Sequence, residues 1–288
     1  MSAGRGIAMI VVSFALFATM DTIIKWLIGE GYTVWQVGFC RGVCSLPLVW
    51  WLVQREGGLA TLKTRRPILH IWRCVTGVSA MLLFFFALGG LPLADAVTLG
   101  FSQPFVITAL SVPLLGEKVG RHRWAAIAVG FVGVLIVLRP GVGVLNPASL
   151  IVLASVVCSA FAIISIRQLV RTESPASIVL WFTVATSVVC GVMLLVTGGR
   201  WPGDGLELGL LVLIGVLGGF GQLASVLAYR LAAIAVLAPF QYVALPFAVV
   251  YGWFVFQVWP DAWVWVGSAV IIASGLYILW RETVRRRA

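Results

Sequence analysis

ADAVTLGFSQPFVITAL, residues 94–110, is apolar enough to enter a bilayer, yet it sets Gln103 and Pro104 side by side near its middle. An amide left unpaired in an apolar interior costs a few kcal/mol, and a proline inside a helix removes a backbone hydrogen bond at about 3 kcal/mol. The arrangement nevertheless returns. ADAVTLGF (94–101) resembles AIAVLAPF (233–240), and QPFVITAL (103–110) aligns with LPFAVVYG (245–252) after a three-residue shift, so Pro104-Phe105 recurs as Pro246-Phe247. KWLIGEGYTVWQVGF (25–39) lies over RQLVRTESPASIVLW (167–181), and GVLIVLR (133–139) over GLYILWR (275–281). Offsets of 139–142 residues mean an internal duplication.

Composition fixes the solvent. With 61% apolar and 10% charged residues over 288 positions, and a mean hydropathy of +1.07, the chain cannot cover a water-facing surface with polar groups. Apolar runs at about residues 6–28, 33–53, 67–90, 94–115, 122–139, 147–170, 175–197, 206–229, 234–258 and 261–280 each approach the roughly 20 residues that a helix needs to cross a hydrocarbon core. They are continuous, without the alternation of barrel strands. The expected fold is an all-α integral membrane protein of ten transmembrane helices, with a first five-helix repeat over residues 1–143 and a second over 144–288. Because five is odd, the second repeat enters from the opposite side. Two inverted repeats around a central cavity follow, a layout in which substrate sites lie near the midplane and one half rocks against the other.

A net charge of +10 raises the question of nucleic acid. The basic residues are scattered singly or in pairs between spans, so no nucleic-acid partner is expected; the partners are the lipid bilayer and a small molecule. Placing the termini and even-numbered connections on one side gathers fifteen of the twenty basic residues there, leaving Lys25, Arg139 and Arg200 opposite and Arg41 and Arg73 within spans. By the positive-inside rule both termini are cytoplasmic. The N-terminus reads as a first span rather than a cleaved signal, because its apolar character continues to about Ile28. Cys40, Cys44, Cys74, Cys158 and Cys190 lie inside spans without CxxC spacing, as small core residues would.

Polar side chains inside the spans carry the chemistry. Gln222, Ser225 and Tyr229 share one face of span 8, a stripe that either lines a wet path or bonds to a neighbouring helix. Ser102 and Gln103 in span 4 stand opposite Gln241 and Tyr242 in the aligned part of span 9, beside the symmetry-related hinges Pro104 and Pro246. Amides and hydroxyls both donate and accept, which suits a zwitterionic substrate; an interhelical bond is the other reading. Phe84, in a run of three phenylalanines, offers an aromatic wall, a lipid-facing surface or core packing. Asp21 and Lys25, one turn apart, form a candidate structural or outer-gate ion pair, and Arg41 can join Asp21 or attract a carboxylate. Arg73 and His70 share a face near the cytoplasmic end of span 3, where snorkelling to lipid phosphate is expected. Gly215, Gly218, Gly219 and Gly221 permit close packing or hinge motion.

Ten spans in two similar halves, basic cytoplasmic connections and the stretch ADAVTLGFSQPFVITALSVPLLGEKVGRHRW (94–124) resemble the EamA-type branch of the drug/metabolite transporter superfamily. PDAWVWVGSAVIIASGLYILWRE (260–282) is similar to the closing stretch of bacterial amino-acid exporters, the YddG-type aromatic amino-acid exporters among them. The resemblance implies a secondary transporter that exports small organic solutes, amino acids including aromatic ones, across the bacterial inner membrane by alternating access, with no cofactor and no metal. Export of other metabolites or cationic drugs, or a non-transporting sensory or assembly role, are the alternatives. The family's Gly-Glu pair after span 4 stands here as Gly116-Glu117, while Gln257 and Val258 occupy the place where the second half often repeats it. Glu117 therefore reads as a structural salt bridge or loop anchor beside Lys118, Arg121 and Arg123. An enzyme is not expected, since the chain has only His70 and His122, no HExxH and no carboxylate pair in a shared site.

Overall fold

A computed structural model describes residues 2–58, 63–115, 121–138, 146–232 and 234–285. In the bilayer every backbone polar group must be satisfied within its own segment, so each apolar run folds as a helix. The helices are α1 (Ser2–Gly29), α2 (Val34–Arg55), α3 (Pro67–Leu88), α4 (Leu93–Gly100), α5 (Gln103–Leu115), α6 (Arg121–Leu138), α7 (Pro147–Leu169), α8 (Pro175–Thr197), α9 (Gly205–Leu231), α10 (Ile234–Leu237), α11 (Ala244–Phe256) and α12 (Ala262–Arg285), with a 3-10 segment at Ala238–Val243. Among the described residues, seven helical spans are long and apolar enough to cross a membrane, and three shorter apolar helices complete the ten. Glu117, with Gly116 and Lys118, lies outside the described residues, as does the expected repeat boundary between residues 143 and 144.

Polar capping residues start the helices where the apolar runs begin. Thr33 Oγ1 accepts from the Gln36 N–H at 3.2 Å at the head of α2, and Ser174 Oγ accepts from the Ser177 N–H at 3.1 Å at the head of α8. These two caps occupy equivalent places in the duplication. The most extensive helix contacts are α3 with α7, α1 with α9, α6 with α12 and α2 with α8. Exchanging the two halves turns α3–α7 into α9–α1 and leaves the other two pairs unchanged, the mark of a two-fold relation between halves. All four contacts join one half to the other, so the repeats interlock instead of standing side by side.

Gly215, Gly218, Gly219 and Gly221 of α9 serve this packing. A Cβ on Gly215 would sit 2.4 Å from Cys44 Cβ, and one on Gly221 would sit 2.8 Å from the Phe17 ring, so α9 meets α2 and α1 backbone against side chain.

Spans 4 and 9 are both broken. After α4, Ser102 N–H donates to Leu99 O at 3.1 Å and Phe105 N–H to Ser102 O at 3.0 Å, three-residue bonds that tighten the chain before α5 resumes. The 3-10 segment plays the same part between α10 and α11. Pro104 is the second residue of α5 and Pro246 the third of α11, positions in a first helical turn where a missing N–H leaves no ladder bond unmade. Neither proline kinks the middle of a helix, as the continuous apolar runs had suggested; each restarts a helix just after the break.

Candidate functional site

A cavity of about 300 Å³ lies where the broken spans meet the interlocked helices. Residues from both halves form it. Helical periodicity aims them inward: Ser13, Phe17 and Asp21 recur every fourth position on α1, and Gln222, Ser225 and Tyr229 lie on one face of α9. Gln103 enters from the first turn of α5 and Gln241 from the 3-10 segment, so each half contributes one amide from its own helix break. Phe84 lines the cavity, Phe85 is core, and Phe86 is on the outer surface against Trp35. One helical residue is about 100° of rotation, which separates the three rings.

Of the sequence candidates, Phe84, Gln103, Gln222, Ser225, Tyr229, Gln241 and Asp21 share this one cavity. Ser102 and Tyr242 do not line it. Ser102 Oγ turns back to Leu99 O at 2.7 Å, while the Tyr242 ring sits edge-on to Phe101 at 5.0 Å and directs its hydroxyl at Gly275. Pro104 borders a small annex next to Gln103 and Gln241, and Pro246 is exposed on the outer surface. Gln103 Nε2 also donates to Ser159 Oγ on α7, so cavity lining and interhelical bonding coincide in one side chain.

Asp21 and Lys25 do not pair. Lys25 Nζ donates to Leu88 O at 2.7 Å and Leu91 O at 2.6 Å, closing the end of α3 with its ammonium, while Asp21 faces the cavity with Arg41. Arg73 departs furthest from expectation. It does not snorkel to lipid: it is 3% exposed and lines the cavity, with its guanidinium carbon 4.4 Å from the centre of the Phe182 ring. Arg41, 6% exposed, approaches the same ring at 5.6 Å. His70 is also buried, with Nε2 4.0 Å from Glu173 Oε2, too far for a hydrogen bond. Nothing in the sequence singles out Phe182, one phenylalanine among sixteen.

Two polar clasps join the halves at opposite ends of the bundle. At one end Glu207 accepts from Tyr32 Oη at 2.9 Å, from Arg200 Nη2 at 2.8 Å and from the Gly203 N–H at 2.5 Å. At the other, Glu173 accepts from Thr64 Oγ1 and from the Arg65 N–H, both at 3.0 Å. These clasps use equivalent connections, α1–α2 with α8–α9 and α7–α8 with α2–α3.

The comparisons agree with this architecture. A crystal structure of a protein 16% identical superposes with a TM-score of 0.65 over 99% of this chain and 98% of its own, a likeness that speaks for the fold. A riboflavin transporter of Rhizobium johnstonii is 31% identical over 94% of this chain and 89% of its own. An S-adenosylmethionine uptake transporter of Rickettsia felis is 28% identical over 96% and 93%, and the pseudopaline exporter CntI of Pseudomonas aeruginosa is 26% identical over 93% and 94%. The names of these relatives support a transporter of this family and do not single out aromatic amino-acid exporters. The EamA-like transporter family model matches residues 4–139 and again 146–280, once in each half, and the chain belongs to that family, within the drug/metabolite transporter superfamily.

Proposed function

We propose that the protein is an alternating-access carrier that exports a small amino-acid-like metabolite, aromatic amino acids included, across the bacterial inner membrane, with both termini in the cytoplasm. The observation that carries this reading is the cavity to which each half contributes an amide from its own broken span, Gln103 and Gln241. A site shared by two inverted halves is exposed to one side or the other as the halves rock. Its volume of about 300 Å³ lies at the lower end of small-molecule sites, roughly 300–1,000 Å³, and its mixture of phenylalanine rings, amides and hydroxyls suits a compact solute with an apolar body. We take the two five-helix repeats, 1–143 and 144–288, as the units that rock. The test is uptake of a labelled panel by proteoliposomes, comprising amino acids, riboflavin and S-adenosylmethionine, with and without a proton gradient. Saturable flux of aromatic amino acids is expected. Saturable flux of riboflavin or S-adenosylmethionine alone would replace the cargo assignment and keep the carrier, and no flux of any solute would favour a sensory or assembly role.

A further inference from the structure

We propose that Arg41 and Arg73 form a carboxylate-binding subsite at the cavity wall, so the cargo carries a carboxylate group; this rests on the carrier reading above. Both guanidiniums are buried, and both lie against the Phe182 ring, 5.6 Å and 4.4 Å from its centre. Their carbons are therefore no further apart than those two distances together, about 10 Å. Among the described residues, Arg41 Nε and Arg73 Nε and Nη1 have no hydrogen-bond partner, and Arg41 Nη1 bonds only to the weak acceptor Met81 Sδ at 3.2 Å. Among the described residues neither arginine makes an ion pair. A buried cation without a hydrogen-bonded anion is costly, so two of them on one cavity imply an acidic visitor.

The backbone is shaped around the second arginine. A Cβ on Gly77, one turn along α3, would sit 1.8 Å from Arg73 Nη1 and 3.1 Å from Phe182, so glycine leaves the space that holds the guanidinium against the ring. The charge sum narrows the ligand class. Among the described residues Asp21 is the one carboxylate lining the cavity, opposed by two arginines, and a monoanion makes the set neutral where a phosphate dianion overshoots. Planar guanidiniums match the two oxygens of a carboxylate, and Asp21 is left to receive an ammonium group when the cargo has one.

The full-length protein in nanodiscs tests this through its unfolding midpoint, titrated with L-phenylalanine, 3-phenylpropionate, L-phenylalaninamide and inorganic phosphate. The two carboxylates should raise the midpoint saturably, and the amide and phosphate should act about tenfold more weakly or not at all. Arg73→Gln should leave the ligand-free midpoint no lower than wild type, because it removes an unpaired buried charge, while weakening the carboxylate response about tenfold or more. Gly77→Ala should weaken the same response by pushing the guanidinium out of its place while Arg73 stays in the sequence. An amide as effective as its acid, a phosphate as effective as the carboxylates, no response to any probe, or a wild-type response in both variants each overturns the proposal. Flux of a carboxylate-free solute with no carboxylate response removes this subsite and leaves the carrier. Arg73-dependent carboxylate binding without flux of any solute does the reverse.

Discussion

Gln103 lines the cavity and at the same time donates to Ser159 Oγ, so its two duties must be separated by substitution. Gln103→Leu removes the interhelical bond and one cavity amide, and should lower stability by about 0.5–1.5 kcal/mol and substrate affinity by up to roughly tenfold. Ser159→Ala removes the bond and keeps the amide, so it should show the stability loss with little change in affinity. Paired measurements of melting temperature and binding decide it: equal affinity losses in the two variants would make Gln103 a structural residue. Tyr242 makes a different case. A Cβ on Gly275 would sit 1.9 Å from the Tyr242 hydroxyl and 3.1 Å from its Cζ. Gly275→Ala should therefore destabilise by about 1–3 kcal/mol, and adding Tyr242→Phe should restore most of that loss in a thermal melt. No recovery would place the hydroxyl elsewhere. These contrasts show what the sequence made legible of the site. An amide in an apolar span stands out by composition, whereas Arg73 mimics a snorkelling residue by its distance from the span end, and the Lys25 partners are backbone carbonyls with no signature in a side-chain pattern.

Helix positions were legible because a hydrocarbon slab demands a fixed apolar length; the run 175–197 coincides with α8, Pro175–Thr197. The breaks in spans 4 and 9 were not, because hydropathy stays high through them and only the proline pair hinted at them. The break lies before the proline, at Phe101 and Ser102 in the first half, while Gln103 and Leu245, the residues directly preceding the two prolines, are already helical. This changes what the prolines do. With alanine at 104 or 246 the restored N–H can rejoin the ladder, making a continuous helix accessible across the break. Pro104→Ala and Pro246→Ala together should reduce transport while leaving the melting temperature equal or higher, measured at matched protein levels in proteoliposomes. Undiminished flux would remove the prolines from the mechanism and leave the breaks to be held by the contacts around them.

Across the whole molecule the halves interlock, so the proposed rocking would have to break contacts at one end while preserving those at the other. Glu207 and Glu173 sit at those two ends, Glu207 accepting from Tyr32 of the first half and Glu173 from Thr64 and the Arg65 N–H of that half. In the proposed orientation the Glu173 end is cytoplasmic, so reporters fused after Arg65, Arg121 and Ala288 should report cytoplasm and one inserted near Gly203 the exterior. The opposite outcome at Ala288 would invert the assignment of both clasps. Given this orientation, Glu207→Gln weakens the exterior clasp by removing the charge that Arg200, Tyr32 and the Gly203 N–H share. Because Arg200 is 42% exposed, screening keeps the effect small, a shift of roughly a few-fold in a two-state population. Glu173→Gln weakens the cytoplasmic clasp by a similar amount. With the five native cysteines replaced and Ser225→Cys as a probe on the cavity wall, an impermeant thiol reagent reports which side is open. In Glu207→Gln, labelling should rise from the exterior and fall from the cytoplasm, and Glu173→Gln should do the reverse. Alternating access requires this opposition, because opening one end draws population from the other. A rise from both sides in either variant would show a loosened bundle, with the two carboxylates serving as structural staples and no gate at either end.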